Sequence, residues 1–228
     1  MLSLTIGLPK SRSRCGTLTL AREDNEILID GAPVAGLASS GLAARHMNEN
    51  RDPVLPYGNV PTGTYRLSGI YASGDGTRLP ARQYGPHGVI ALTPVSGQGL
   101  LAAGAGRGTL LIHGGPAGPN ETLRSTAGAL RLANADMQAL RSLIGSGLEL
   151  SCLCFIDDDL PGAPVYDDPG CRLTERIDPA VLEAAPILSH IHRPEMSRRN
   201  VMRAAGVVFI VPISFVAAIP EPAAAQSY

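Results

Sequence analysis

Two short segments carry the residues of this chain that are best suited to chemistry. In Leu111-Ile112-His113-Gly114-Gly115, a histidine ends an apolar strand, and two glycines let the backbone come close to a ligand. Residues 125–132, Ser-Thr-Ala-Gly-Ala-Leu-Arg-Leu, precede a helix and bring backbone N–H groups together, which suits an oxyanion site. A nucleophile beside such donors and within reach of His113 is the arrangement of acyl transfer. Taken alone, His113 also fits a strand-end histidine that makes a single hydrogen bond.

Short strands are the elements expected to position these segments. Glycine (26) and proline (19) are frequent among 228 residues, which favours many strands joined by turns. The pattern predicts strands over residues 17–20, 26–29, 34–38, 61–67, 89–92, 109–112 and 148–156, with a turn at Asp30-Gly31. It predicts a loose polar arm over 1–14, a loop or a short helix and loop over 42–57, a flexible turn over 97–108 and a polar loop over 157–169.

One helix is well marked, and a second is indicated. Asn134 is a good N-cap, Asp136 suits the positive end of the helix dipole, and Gly145 ends the helix. Asp178-Pro179 starts a further short helix, with aspartate as the cap and proline at the first position. The apolar stripe of the first helix consists of Met137, Leu140, Leu143 and Ile144.

Composition excludes some function classes. The net charge is −1, so there is no basic footprint of a nucleic-acid partner. No cofactor motif is visible. Asp157-Asp158-Asp159 lacks the alternating ligand spacing of a calcium loop and fits a solvated turn. His190 and His192 fit surface positions better than a metal site. We therefore expect no metal and no cofactor.

The four cysteines are expected to be structural. Cys152 and Cys154 lie two residues apart in an apolar run, so they point to the same face of a strand. They could share a metal, but no further ligand cluster has zinc spacing, and buried thiols are the favoured interpretation. A disulfide between Cys15 and Cys171 in an oxidising compartment stays open at this point.

The combined motifs resemble the L,D-transpeptidase catalytic domain of the YkuD type. The resemblance runs through residues 59–65 (Asn-Val-Pro-Thr-Gly-Thr-Tyr), then Tyr84-Gly85, then the segment 112–115 (Ile-His-Gly-Gly) and then the segment 125–132 with the helix that follows it. It covers roughly residues 16–156. It implies a mainly-β fold, an L,D-transpeptidase-like β-sandwich with one or two short helices.

The resemblance implies an acyl transfer on peptidoglycan stem peptides, in which a cysteine attacks the carbonyl before D-alanine. By position, His113 matches the base, and the carbonyl of Gly114 would orient its ring. Gly128 and the amide of residue 129 match the oxyanion site. Arg131 would shape the pocket or hold a substrate carboxylate through its bidentate fork. The substrate contacts implied by the resemblance are Tyr84, Thr126 and Arg131.

Two departures from the family pattern bear on turnover. Ala129 stands at the position of the nucleophilic cysteine, and a methyl group cannot form an acyl-enzyme. Ala127 stands where many members have a second histidine. Ser125 and Thr126 are the nearby hydroxyls, but they would have to move to face His113. Ala129 is either natural or a substitution that traps substrate, and we favour a natural, catalytically silent member.

The domain prediction has four parts: an arm over 1–15, an L,D-transpeptidase-like domain over 16–156, an extension with a short helix over 157–195, and a tail over 196–228. The tail has a basic start with Arg198 and Arg199, and then an apolar run over 204–219 that is interrupted by Pro212. That run is shorter than the roughly 20 residues that span a bilayer. It fits a C-terminal membrane anchor, a fused neighbouring reading frame or a segment packed on the domain.

Three functions compete on the sequence alone. The chain is an L,D-transpeptidase-like enzyme if Ala129 is a substitution, a non-catalytic peptidoglycan or peptide-binding module, or a secreted effector relative that targets the cell wall. The expected location is the cell envelope, periplasmic or membrane-associated, with possible membrane contact through the tail. No N-terminal signal peptide is visible, so the export route is open.

Overall fold

Eight strands and a few short helices make up the fold. A computed structural model describes residues 1–144 and 149–171, all within one compact unit. The strands are β1 (Leu2–Leu8), β2 (Gly16–Arg22), β3 (Ile27–Val34), β4 (Gly63–Tyr71), β5 (Val89–Pro94), β6 (Leu110–His113), β7 (Leu130–Arg131) and β8 (Leu150–Ile156). The α-helices are α1 (Ser40–Arg45), α2 (Ala81–Tyr84), α3 (Gly97–Gly104) and α4 (Asn134–Ile144), and Pro119–Glu121 forms a 3-10 turn. The mainly-β prediction is confirmed.

All eight strands belong to one sheet, in the order β3-β2-β1-β8-β4-β5-β6-β7. The pairs β1–β8 and β6–β7 are parallel, and the other neighbouring pairs are antiparallel. Just beyond the end of β3, Ala35 exchanges two backbone hydrogen bonds of 2.9 Å with Arg131 of β7. This bridge joins the two edges of the sheet, so the sheet curves back on itself beside the predicted site.

Residues 1–14 do not form the predicted polar arm. Leu2, Leu4, Ile6 and Leu8 are fully buried, and β1 lies between β2 and β8 in the interior of the sheet. Alternation of apolar and small or polar residues along β1 is the pattern of a strand with one buried face. The predicted boundary at residue 15 therefore divides a continuous part of the core.

Two other local predictions were wrong. Asp30-Gly31 is not a turn between strands, because both residues lie within β3, where the pairing with β2 shifts register and Gly31 has φ of 62°. A bulge of this kind uses glycine for the same positive φ that a turn requires. The glycine-rich segment over 97–108 contains the helix α3 instead of a flexible turn.

The main core fills the inside of the curved sheet. Apolar side chains from β1, β2, β5, β6, β7 and β8 pack there with Met137, Leu140 and Ile144 of α4. Cys152 and Cys154 point into this core, as the sequence predicts for buried thiols, and burial raises the pKa of both. All four cysteines are buried free thiols, so the structure does not contain the Cys15–Cys171 disulfide.

A second apolar cluster covers the other face of β5 and β6. Its buried members are Leu42, Tyr71, Leu79, Tyr84, Val89, Ala91 and Cys171. Within residues 1–144 and 149–171, no helix is both long enough and apolar enough to cross a bilayer. The predicted helix at Asp178-Pro179 and the tail over 196–228 lie outside the described residues.

Candidate functional site

Strands β6 and β7 place His113 and Arg131 next to each other. The two strands are parallel, with His113 opposite Arg131 and Ile112 opposite Leu130. Because side chains alternate along a strand, Ile112 and Leu130 enter the main core while His113 and Arg131 point to the other face. His113 is 1% exposed and Arg131 is 4% exposed. The two residues that the sequence singles out therefore form one buried polar pair.

The imidazole of His113 is fixed by the residue that follows it. Its Nδ1 lies 2.7 Å from the carbonyl oxygen of Gly114. A carbonyl only accepts hydrogen bonds, so Nδ1 carries the proton and the neutral ring keeps its lone pair on Nε2. The predicted contact with Gly114 is thus confirmed, while the role of His113 as a base stays a prediction.

The surroundings of His113 keep its ring neutral. Burial first, and then the charge of Arg131, lower the pKa of His113 to about 3, against the hydrogen bond to Gly114, which raises it. Tyr84 at the end of α2 packs edge-on against the ring, with 5.0 Å between ring centroids. Burial raises the pKa of Tyr84 to about 12, so its phenol is also neutral. Tyr84 lies beside His113, as expected of a residue that lines the same site.

The guanidinium of Arg131 is buried without a carboxylate partner among the described residues. It donates long hydrogen bonds to the carbonyl oxygens of Pro116 (3.3 Å) and Gln83 (3.5 Å), and its Nε has no partner. Burial is the main cause that lowers its pKa, to about 10. A buried guanidinium with spare donors favours an anionic ligand, and a carboxylate fits its planar fork.

The backbone amides predicted for the oxyanion site have an acceptor within their own loop. The hydroxyl of Thr126 accepts hydrogen bonds from Gly128 N (3.0 Å) and Ala129 N (2.8 Å). It also donates to the carbonyl of Ala129 (2.8 Å). One donor and two acceptor sites are all that a hydroxyl has, so the loop itself uses the full capacity of Thr126.

Neither hydroxyl of the loop 125–129 is free to act as a nucleophile. Ala129 is half-buried and lies two residues before Arg131. Ser125 is 1% exposed, and its Oγ accepts a hydrogen bond from Asp168 N at 2.9 Å. The Thr126 hydroxyl is fully used as described above. The arrangement thus has an orienting carbonyl, a neutral imidazole and a cation, but no free nucleophile in the loop 125–129.

Arg107 holds this loop in place, and the sequence analysis did not find it. Its guanidinium donates to the carbonyls of Gly58 (2.7 Å), Asn59 (2.8 Å) and Gly128 (2.9 Å), and also to Pro53. Gly128 has φ of 105°, and a Cβ there would lie 2.4 Å from Arg107 Nη2. Only glycine fits between this guanidinium and the loop. A lone arginine after a glycine-rich segment carries no pattern that predicts such a clamp.

Asn134 is the first residue of α4, and its side chain lies against the two glycines that follow His113. Its Oδ1 accepts a hydrogen bond from Gly115 N at 2.8 Å, so the side chain is not the predicted cap of α4. A Cβ on Gly114 would lie 2.4 Å from this oxygen, and one on Gly115 would lie 2.2 Å from Arg131 Nη1. The two glycines after His113 are therefore required by close packing on both sides.

A segment that the sequence predicts as a polar loop packs beside the site. We call residues 162–171 the strap. Asp167 forms an ion pair of 2.9 Å with Arg51, and Asp168 pairs with Arg124, five residues after the 3-10 turn begins at Pro119. The backbone of Tyr166 exchanges hydrogen bonds with Leu123 and Ser125, and Cys171 at the end of the strap belongs to the second apolar cluster. The strap thus ties the chain to the residues immediately before Thr126.

His46 and His87 make other contacts. His46 stacks on Tyr57, with 3.7 Å between ring centroids, and His87 lines a separate groove. His190 and His192 lie outside the described residues. In residues 1–144 and 149–171, no group of three or more His, Cys, Asp or Glu side chains could hold a metal ion. No family model, curated protein or solved structure matches the chain.

Proposed function

We propose that this protein binds peptidoglycan stem peptides through an L,D-transpeptidase-like site and does not turn them over. The observation that carries the proposal is the buried pair formed by His113 and Arg131 at the ends of β6 and β7, with Ala129 two residues before Arg131. His113 and Arg131 are the two groups with which such a site would bind its ligand, and the nucleophile is absent because residue 129 is alanine.

Arg131 supports a ligand with a carboxylate. Stem peptides carry carboxylates, and a buried guanidinium whose Nε has no partner gains more from a carboxylate than from the two long contacts it now makes. Because no carboxylate of the described residues pairs with Arg131, the charge is available to a ligand.

His113 supports recognition of a peptide N–H group. With Nδ1 donating to Gly114 and the pKa far below neutral pH, the ring presents Nε2 as an acceptor. A peptide amide donates to such an acceptor without any proton transfer. The same geometry would activate a thiol, which connects the binding proposal with the family that the motifs resemble.

The loop 125–129 supports the absence of turnover. The methyl group of Ala129 cannot attack a carbonyl, and the hydroxyls of Ser125 and Thr126 are held by hydrogen bonds to neighbouring backbone. The amides of Gly128 and Ala129 already donate to Thr126, so an oxyanion would have to displace that hydroxyl. The proposed location is the cell envelope, where stem peptides are cross-linked, and the tail is the candidate for membrane contact.

Restoring the nucleophile tests whether the site has the transpeptidase geometry. The variant Ala129→Cys is incubated with a carbapenem or a tetrapeptide stem, and the intact mass of the protein is measured. Ala127→Cys is the matched control, because Ala127 is also half-buried in the same loop. We expect a covalent adduct on Ala129→Cys alone, and its loss when His113→Gln is added.

An adduct on both cysteine variants would indicate a merely accessible thiol. If neither variant forms an adduct and the unaltered chain binds no muropeptide, the proposal fails.

A further inference from the structure

The wall of a groove outside the His113–Arg131 site contains Arg141, a cation without an ion-pair partner among the described residues. This groove lies between the end of β4, the turn before β5 and one face of α4, and its volume is about 350 Å³. The polar residues that line it are Ser73, His87, Gln138, Arg141 and Ser142, with Pro86 and Ala72 as apolar parts of the wall. This volume is at the lower end of small-ligand sites, which measure roughly 300–1,000 Å³.

Arg141 is the feature that points to a ligand. Its Nε is buried and makes no hydrogen bond, and none of the ion pairs among the described residues involves it. Partial burial also lowers the pKa of Arg141, and no carboxylate of the described residues pairs with it. Arg141 is half-buried, and its Nε loses hydration without gaining an acceptor, which favours an incoming anion at this side of the guanidinium.

The lining residues restrict the class of anion. Among the described residues that line the groove there is no aspartate or glutamate, and Arg141 is the one arginine or lysine. Gln138 and Ser142 lie three positions before and one position after Arg141 on α4, so Gln138 borders the same face and offers an amide N–H. One fixed positive charge with neutral donors matches a monoanion, and the planar fork of arginine matches a carboxylate.

The other wall of the groove is held rigidly. Ser73 Oγ donates to Gly85 O and accepts from Gly88 N at 3.0 Å, so this hydroxyl fixes the turn that carries His87. Ser142 Oγ donates to Gln138 O at 2.9 Å. These bonds leave the guanidinium of Arg141, the amide of Gln138 and the ring of His87 as the groups that can turn towards a ligand.

We propose that this groove is a carboxylate-binding site for a small organic acid, of the size of an acylated amino acid. Arg141 binds the carboxylate, Gln138 and His87 provide further hydrogen bonds, and Pro86 and Ala72 contact the hydrocarbon part. The proposal is independent of the stem-peptide proposal, because no residue of the groove belongs to the His113–Arg131 pair.

The test is a titration of the full chain, labelled with nitrogen-15, followed by amide chemical shifts. N-acetylglycine is the probe, N-acetylglycinamide is its matched neutral control, and inorganic phosphate is a separate arm. We expect saturable shifts at His87, Gly88 and Gln138 with the acid and none with the amide. Arg141→Gln should weaken binding at least ten-fold, and Ser142→Glu should weaken it in the same direction by adding a negative charge.

A control variant locates the effect. Arg66→Gln changes an exposed arginine of β4 and should leave the affinity unchanged. Equal shifts with acid and amide, no saturation, or full affinity in Arg141→Gln would overturn the proposal. Saturable binding of phosphate alone would overturn the assignment to carboxylates. If the unaltered chain binds N-acetylglycine but not a stem peptide, the proposed function is rejected and this inference still stands.

Discussion

Thr126 and Ala129 are joined by two hydrogen bonds of 2.8 Å, one in which the Thr126 hydroxyl accepts from the amide of Ala129 and one in which it donates to the carbonyl of Ala129. The same hydroxyl accepts from Gly128 N. The loop 125–129 is therefore closed around a side chain of its own. This closure accounts for the shape that the loop keeps.

Replacing Thr126 with valine should destabilise the fold while keeping the volume of the side chain. Thr126 is fully buried, and the variant would leave the amides of Gly128 and Ala129 without their acceptor. An unsatisfied buried donor costs about 1–3 kcal/mol, so we expect a loss of about 2–4 kcal/mol in the free energy of unfolding. Urea denaturation followed by circular dichroism measures it.

Thr126→Ser is the control, because it keeps the hydroxyl and removes only a methyl group, at a cost of about 1 kcal/mol. Equal stability of the valine and serine variants would show that the hydroxyl does not hold the loop.

His113 should make the folded state sensitive to mild acid. The unfolded chain protonates this histidine below about pH 6.5. The folded chain does so only near pH 3, because burial and Arg131 lower the pKa. Between these values the unfolded state binds more protons, so stability falls as the pH falls, by at most about 1.4 kcal/mol per pH unit.

Urea denaturation of the unaltered chain and of His113→Gln, each at pH 4, 5 and 6, measures this contribution. We expect the steeper loss in the unaltered chain. Parallel pH dependences of the two proteins would mean that His113 does not titrate differently on folding.

The strap should stay closed over Cys171 only while the ion pair of Asp168 is intact. Asp168 pairs with the guanidinium of Arg124, and its amide donates to Ser125 Oγ. Asp168→Ala removes the ion pair, which should open the strap locally and expose Cys171, now 8% exposed. We expect Cys171 to react with a maleimide several-fold faster, measured by peptide mass mapping.

Cys152 and Cys154 serve as internal references for global unfolding, because both lie in the main core. Asp159→Ala, at an exposed turn position, should not change the labelling rate. Faster labelling of all cysteines together, or no change at Cys171, would contradict a local role for the Asp168 pair.

Local pattern was enough to predict β5, β6 and the helix α4, but not the two-residue strand β7 that carries Arg131. Residues 89–92 and 109–112 read as strands and correspond to β5 and β6, and the apolar stripe from Met137 to Ile144 corresponds to α4. These elements depend on neighbours in sequence, which a pattern records. The contact between His113 and the carbonyl of Gly114 is implied by the resemblance to the L,D-transpeptidase family and not by the local pattern.

The parts that the sequence did not predict depend on distant partners. β1 is a strand because β2 and β8 pair with both of its edges. The strap packs on the domain because Asp167 and Asp168 form ion pairs with Arg51 and Arg124. The clamp of Arg107 onto Gly128 spans two segments with no shared motif. Nothing local distinguishes Arg107 or the aspartates of the strap from solvated residues, whereas the alternation along β1 is a local signal that the sequence analysis missed.

Calorimetric titration of the unaltered chain with a tetrapeptide stem that ends in D-alanine tests the central claim most directly, with the mass of the recovered peptide measured afterwards. We expect saturable binding, a peptide of unchanged mass, and at least a ten-fold loss of affinity in Arg131→Gln but not in the exposed control Arg66→Gln. Circular dichroism confirms that both variants are folded. No binding by the unaltered chain, or binding that Arg131→Gln leaves unchanged, would contradict a stem-peptide site at His113 and Arg131, and a shortened or cross-linked peptide would contradict the absence of turnover.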